Sequence, residues 1–343
     1  MRDGAASRNK AAEPPAGAVG VPPLARIGWF PDLANLAERI MSGVTFHAIR
    51  PRRSVLYMPG ANARALEKAR SLPADALIID LEDAVAPDAK AAARQQVAEA
   101  LAAGGYGARE VVVRVNGFDT PWFEADLARF AEAAAGGAGP DALLIPKIAS
   151  AETLRAIGSR LDELGAPASL RLWAMIETPQ AVIEVARIAA AARDPVSRLA
   201  VLVLGTNDLA KETGARIVPG RAPMHTWLSM CVLAARAAGI EVLDGVWNDF
   251  RDLDGFSREC REAAEMGFDG KTLIHPTQIE PGNAAFTPPE DEVAAARALI
   301  AAFELPEHAG KGVIQIEGRM YERMHADVAR KTVALVAAIA ARG

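Results

Sequence analysis

The chain has 343 residues, 51% hydrophobic and 24% charged, which is enough apolar material to bury one large core. A formal net charge of -5, with the arginines scattered along the chain, excludes the basic footprint of a nucleic-acid binder. Cys231 and Cys260 have neither metal-ligand nor redox spacing, which argues against a structural disulfide, and no stretch approaches the ~20 apolar residues of a membrane span.

Residues 1–24 are rich in Ala, Gly and Pro and are expected to form a disordered leader. They lack the apolar core of a secretory signal, so the protein is expected in the cytoplasm, under reducing conditions. Leu33, Leu36 and Ile40 then fall at helical spacing, and 1–49 as a whole is set apart as an N-terminal extension without an assigned function.

Eight short apolar runs follow, at 54–58, 76–79, 111–115, 142–145, 172–176, 199–204, 242–246 and 272–274. Most are separated by Ala-rich segments long enough for the helical crossover that parallel strands require. Eight strand-helix units predict an α/β fold, a (β/α)8 TIM barrel spanning 50–287, with its active site at the carboxyl ends of the strands. Cys231 and Cys260 read as core or helix residues. Thr287-Pro288-Pro289 then breaks the chain before two helical segments, 290–303 and 324–341, which flank a Gly-punctuated hairpin at 310–318. Residues 288–343 are therefore expected to form a helical extension that serves as a lid or an oligomer contact.

Polar residues gather where the strands end. The second run leads into Asp80-Leu81-Glu82-Asp83, the fifth into Glu177, and the sixth into Gly205-Thr206-Asn207-Asp208. Mg2+ takes hard oxygen ligands and is commonly held by only one or two protein carboxylates, which makes Glu177 and Asp208 the candidate metal ligands. Asp83 and Asn207 read equally well as helix caps. Arg114, at the end of the third run, offers a fork of donors to a substrate carboxylate or a developing oxyanion; its alternative is a structural ion pair with Asp80 or Glu82. Lys147 and Lys271 are weaker candidates that a solvated rim position explains as well, and His275 reads as a structural hydrogen-bonding residue. No dinucleotide fingerprint, Walker loop or nucleophile elbow is present, which leaves metal-assisted chemistry.

Six ordered motifs carry a resemblance: RSVLYMPG at 53–60, DLEDAV at 80–85, VRVNG at 113–117, MIET at 175–178, GTNDLA at 205–210 and GKTLIHP at 270–276. Together they resemble the HpcH/HpaI aldolase and citrate lyase beta-subunit family, in its malyl-CoA lyase and malyl-CoA thioesterase branch. The resemblance implies a Mg2+-dependent barrel, with Mn2+ as a substitute, acting on 3-hydroxy-carboxylated acyl-CoA esters. CoA enters as part of the substrate, Glu177 and Asp208 match the metal ligands, and Arg114 matches a residue that contacts substrate near the thioester.

In lyase members, a C-terminal motif of Gly, basic, Met, Ile and Asp supplies an acid from a neighbouring subunit; here it reads Gly318-Arg319-Met320-Tyr321-Glu322. The thioesterase members resemble this chain in carrying Glu there. Arg114 and Glu322 are thus the candidate catalytic residues, and the chain is expected to form a homo-oligomer. Arg53, Arg64 and Lys68 are candidates for contacting CoA, with Arg53 placed among the substrate-binding residues. The leading expectation is carbon-carbon cleavage of a malyl-, methylmalyl- or citramalyl-CoA type ester to an acyl-CoA and a 2-oxo acid. Hydrolysis of the same thioester is the alternative, and a citrate lyase beta-like role in a carrier-protein complex is the third.

Overall fold

Eight parallel strands close into a barrel in the computed structural model, which describes residues 49–342. The first half comprises β1 (Ser54–Pro59), α1 (Ala63–Ala69), β2 (Ala76–Asp80), α2 (Lys90–Ala103), β3 (Glu110–Arg114), α3 (Phe123–Ala135), β4 (Ala142–Ile145), α4 (Ala151–Glu163) and β5 (Arg171–Ile176). The second half continues through α5 (Pro179–Ile183), α6 (Val185–Ala190), β6 (Leu199–Leu204), α7 (Thr206–Thr213), α8 (His225–Ala238), β7 (Glu241–Asp244), α9 (Leu253–Met266), β8 (Gly270–Leu273) and α10 (Ile279–Ala285). Ser54 on β1 stands opposite Lys271 on β8, and this pairing closes the sheet so that the barrel has no open edge.

The apolar runs are nearly uninterrupted because both faces of each strand are buried. Val55, Ile78, Val112, Leu144, Trp173 and Val203 point to the axis and fill the barrel, whereas Leu56, Leu77, Val113, Leu143 and Leu202 point outward against the helices. Each fully buried aliphatic side chain contributes about 1.5–3 kcal/mol relative to an exposed one. Polar residues set the helix starts: Ser150 caps α4, Thr178 caps α5 and Asp252 caps α9, each accepting a backbone N–H of the first turn.

The C-terminal segment adds α11 (Glu290–Glu304), the strands β9 (Val313–Ile316) and β10 (Arg319–Glu322), and α12 (Arg323–Ala340). The hairpin expected at 310–318 therefore extends through Glu322, because Ile316 and Arg319 pair across a two-residue turn. Glu317 and Gly318 in that turn have φ of 47° and 80°, the left-handed pair that matches the strand twist of a tight hairpin. Phe303, Ile314 and Ala326 form a small core of their own with Tyr321 packed against it. At the far end of α12, the Arg342 guanidinium donates to the carbonyls of Pro51 and Asp75, which ties that end to the floor of the barrel at the amino ends of β1 and β2. No helix among the described residues is long and apolar enough to cross a membrane. The leader and the helical spacing expected before Ile49 lie outside the described residues.

Candidate active site

The alternation that fills the barrel also builds its mouth. Ile78 and Val112 face the axis, so two residues further on Asp80 and Arg114 face it too, opposite each other in the β2–β3 register. Arg114 donates through Nε and Nη2 to the two oxygens of Asp80, both at 2.7 Å, and its Nη1 lies 3.0 Å from Glu82 and 3.1 Å from Asp83. The guanidinium also sits 5.1 Å from the centre of the Tyr57 ring. Thus the ion-pair alternative for Arg114 is present, and at a barrel mouth. Burial opposes the charge on Arg114, but Tyr57, Asp80 and Glu82 outweigh it and hold its pKa above the usual range.

Glu177 follows β5 with the inward parity of Trp173 and Met175 and is only 2% exposed. Its Oε1 accepts the backbone N–H of Lys147 at 2.7 Å. Lys147 has a φ of 54°, an unusual conformation for a residue with a side chain, which presents this N–H at the end of β4. Its ammonium is half exposed and 4.0 Å from Glu82, so Lys147 serves Glu177 through its backbone while its side chain stays at the rim.

Room for Glu177 comes from Gly205. A Cβ there would overlap the Glu177 Cβ and stand 2.7 Å from its Oε2. Burial pushes the Glu177 carboxyl up to about 7; the Lys147 N–H and Arg114 oppose the shift, and Asp208 adds to it. Asp208 itself sits half-buried in the first turn of α7. Glu82 is likewise pushed up to about 7 by burial, against Arg114 and with Asp83, Glu177 and Asp80 adding to the shift. Five carboxylates here face the charges of Arg114 and Lys147, a crowding that a divalent cation relieves. Among the described residues, no three His, Cys, Asp or Glu side chains close around a metal by themselves. Two carboxylates with the remaining positions left to water and substrate oxygens suit Mg2+, and Glu177 and Asp208 are the residues that would hold it.

Other candidates stand elsewhere. Arg53 is not at the mouth: it precedes β1, clasps the two oxygens of Asp75 at 2.8 and 2.9 Å and donates to Thr287. It closes the floor because a residue just before a barrel strand belongs to the amino end. Arg64 and Lys68 are exposed on α1. Lys271 is no rim lysine; it is fully buried within β8, 2.6 Å from Asp244 and 2.8 Å from Glu259, beside an Asp244–Arg221 pair. His275 accepts the N–H of Thr277 and stacks on Phe250 at 4.6 Å, in keeping with its structural reading. Asn207, at the rim, exchanges amide hydrogen bonds with Asn248. Glu322 ends β10 opposite Val313, caps α12 and is exposed, and its backbone N–H donates to His325 Nδ1 at the helix start.

Two contributors were not singled out in the sequence. Lys90 reaches from α2 to donate to the carbonyls of Leu81 and Glu82, fixing the acidic turn after β2. Tyr57 carries the inward parity of Val55 into the mouth, and that alternation was the available signal.

An acidic, partly buried mouth at the carboxyl ends of a (β/α)8 barrel is the arrangement of a barrel enzyme. The chain belongs to the HpcH/HpaI aldolase/citrate lyase family, whose model matches residues 53–276. It is 50% identical over 295 residues to a (3S)-malyl-CoA thioesterase of Cereibacter sphaeroides, covering 86% of this chain and 98% of that protein. Identity to an L-malyl-CoA/beta-methylmalyl-CoA lyase of Cereibacter sphaeroides is 33%, covering 80% of this chain and 91% of that protein. Among solved structures, the CitE protein of Mycobacterium tuberculosis in complex with magnesium, acetoacetate and coenzyme A matches with a TM-score of 0.64 and 28% identity, over 86% of this chain and all of that one. The expected fold and family are thus borne out. The order of the two expected reactions is not supported, since the higher identity is to the thioesterase.

Proposed function

We propose that this protein hydrolyses the thioester of a malyl-CoA-type 3-hydroxy-carboxylated acyl-CoA in a Mg2+-dependent reaction. The observation that carries the reading is the 50% identity to a (3S)-malyl-CoA thioesterase, against 33% to the lyase. Glu322 agrees with it, standing where the lyase motif has Asp. One extra methylene moves the carboxyl group by about 1 Å, a displacement that can cost on the order of a hundredfold in a positioned reaction.

Glu177 and Asp208 would hold the ion, which when bound would supply positive charge against developing negative charge. Asp80 keeps the Arg114 guanidinium at the axis, where its field favours the oxyanion formed from the thioester carbonyl. Glu322 from a second copy of the chain takes a proton from water, whose oxygen attacks that carbonyl. The carbon-sulfur bond then breaks, and the CoA thiolate leaves and takes up the proton that Glu322 removed from water. Glu322 is exposed and none of its hydrogen bonds is made to the mouth of its own barrel, which favours a role in a neighbouring subunit and hence a homo-oligomer.

The test is product analysis with purified protein, malyl-CoA and Mg2+. Malate and free CoA are expected, and chelation should stop their formation. Glyoxylate and acetyl-CoA as the products would overturn hydrolysis in favour of carbon-carbon cleavage. Turnover only after addition of an acyl carrier protein would instead support the carrier-complex role.

A further inference from the structure

The mouth is rich in acceptors and short of unengaged donors. Each terminal nitrogen of Arg114 already faces a carboxylate, and Nε is bound to Asp80. A thioester carbonyl that becomes an oxyanion needs a donor that is not so engaged.

Tyr57 meets that need. It is half-buried on β1 with its side chain inside the barrel, and its ring lies beneath the Arg114 guanidinium. Tyr57 shares the inward parity of Val55 two residues before it and packs against the axis-facing cluster, so the hydroxyl extends toward the axis. A buried tyrosine hydroxyl usually finds a partner. Among the described residues the Tyr57 hydroxyl makes no hydrogen bond, and it is not enclosed by protein as the unpartnered Tyr106 hydroxyl is, so it opens into the mouth.

We propose that the Tyr57 hydroxyl contacts substrate, donating a hydrogen bond to the thioester carbonyl oxygen and to the oxyanion that develops there. The proposal rests on the thioester reading of this mouth and adds to it a neutral donor. Burial pushes the phenol pKa up, Arg114 pulls it down, and Asp80, Glu177 and Glu82 raise it further, so the group keeps the proton it donates.

The test uses Tyr57→Phe, which removes one oxygen and keeps the ring under Arg114. Its partner probe is a malyl-CoA analogue with a methylene in place of the thioester sulfur, which retains the carbonyl and cannot be hydrolysed. Calorimetry with Mg2+ present should show about tenfold weaker analogue binding by Y57F, the scale of one neutral hydrogen bond. Turnover of malyl-CoA should fall by about 10- to 100-fold in kcat, with Mg2+ affinity and thermal melting unchanged. Equal analogue binding by wild type and Y57F would overturn the Tyr57 contact alone. Loss of folding or of Mg2+ affinity in Y57F would assign the hydroxyl to the scaffold and overturn it too. Failure of the wild type to bind the analogue would overturn the thioester reading and the Tyr57 contact together.

Discussion

Glu177 packs directly on Gly205, and the space occupied by its carboxylate is the space a side chain at 205 would fill. The relationship joins β5 to the turn before α7, the two elements that carry Glu177 and Asp208. Gly205→Ala is expected to displace Glu177 while leaving the barrel folded, and to weaken Mg2+ binding and turnover by at least about tenfold. Calorimetric titration with Mg2+ checks it; an unchanged affinity would remove Gly205 as the support of Glu177.

Arg53 belongs to the floor of the barrel, so its loss should be felt as stability. Asp75 is 4% exposed, and Arg53→Met leaves it with one charged neighbour fewer, at a cost of about 3 kcal/mol. Urea denaturation should show that loss, with kcat/KM for malyl-CoA within about threefold of wild type. A raised KM at unchanged stability would return Arg53 to the substrate.

Lys271, Asp244, Glu259 and Arg221 form a buried network between β7, β8 and α9. Lys271→Met is expected to destabilise by about 3–5 kcal/mol at pH 7, because removing one member leaves buried carboxylates undercompensated. The network also sets a pH signature. Burial raises the Asp244 pKa, but Lys271 and Arg221 overcome it and hold it below the ordinary carboxylate value. Its stabilising contribution is therefore present above about pH 3.9, the unfolded value, and is lost as pH falls through the lower folded pKa. Urea midpoints measured from pH 7 downward should fall on the acid side in the wild type, and less steeply in K271M. Parallel acid limbs would contradict the assignment.

Burial pushes the thiols of Cys231 and Cys260 up to about 12, which leaves almost no thiolate at neutral pH. Neither is expected to react with a chromogenic disulfide reagent at pH 8 in the native protein, and both should react within minutes in denaturant. Rapid labelling of the folded protein would show that one of them is reachable.

Much of this site is legible one residue at a time. The runs ending near Asp80, Arg114 and Glu177 announce inward side chains because strand parity is two and does not depend on what surrounds the strand. Lys271 shows where that reading stops. A lysine just before an apolar run looks like a rim residue, since its burial depends on Asp244 and Glu259 arriving from other elements. Tyr57 shows the complementary case, an aromatic that passes for core until Arg114 is found above it.

The amino-acid order by itself determined the barrel, the family and the strand ends at which the acidic residues collect, because hydrophobic periodicity and local motifs are properties of neighbours along the chain. Tertiary structure alone decided that Arg114 is held by Asp80, that Lys147 serves Glu177 through its backbone, and that Arg53 belongs to the floor. Those outcomes depend on which distant residue meets each charge once water is excluded, and that pairing exists only after the barrel has closed.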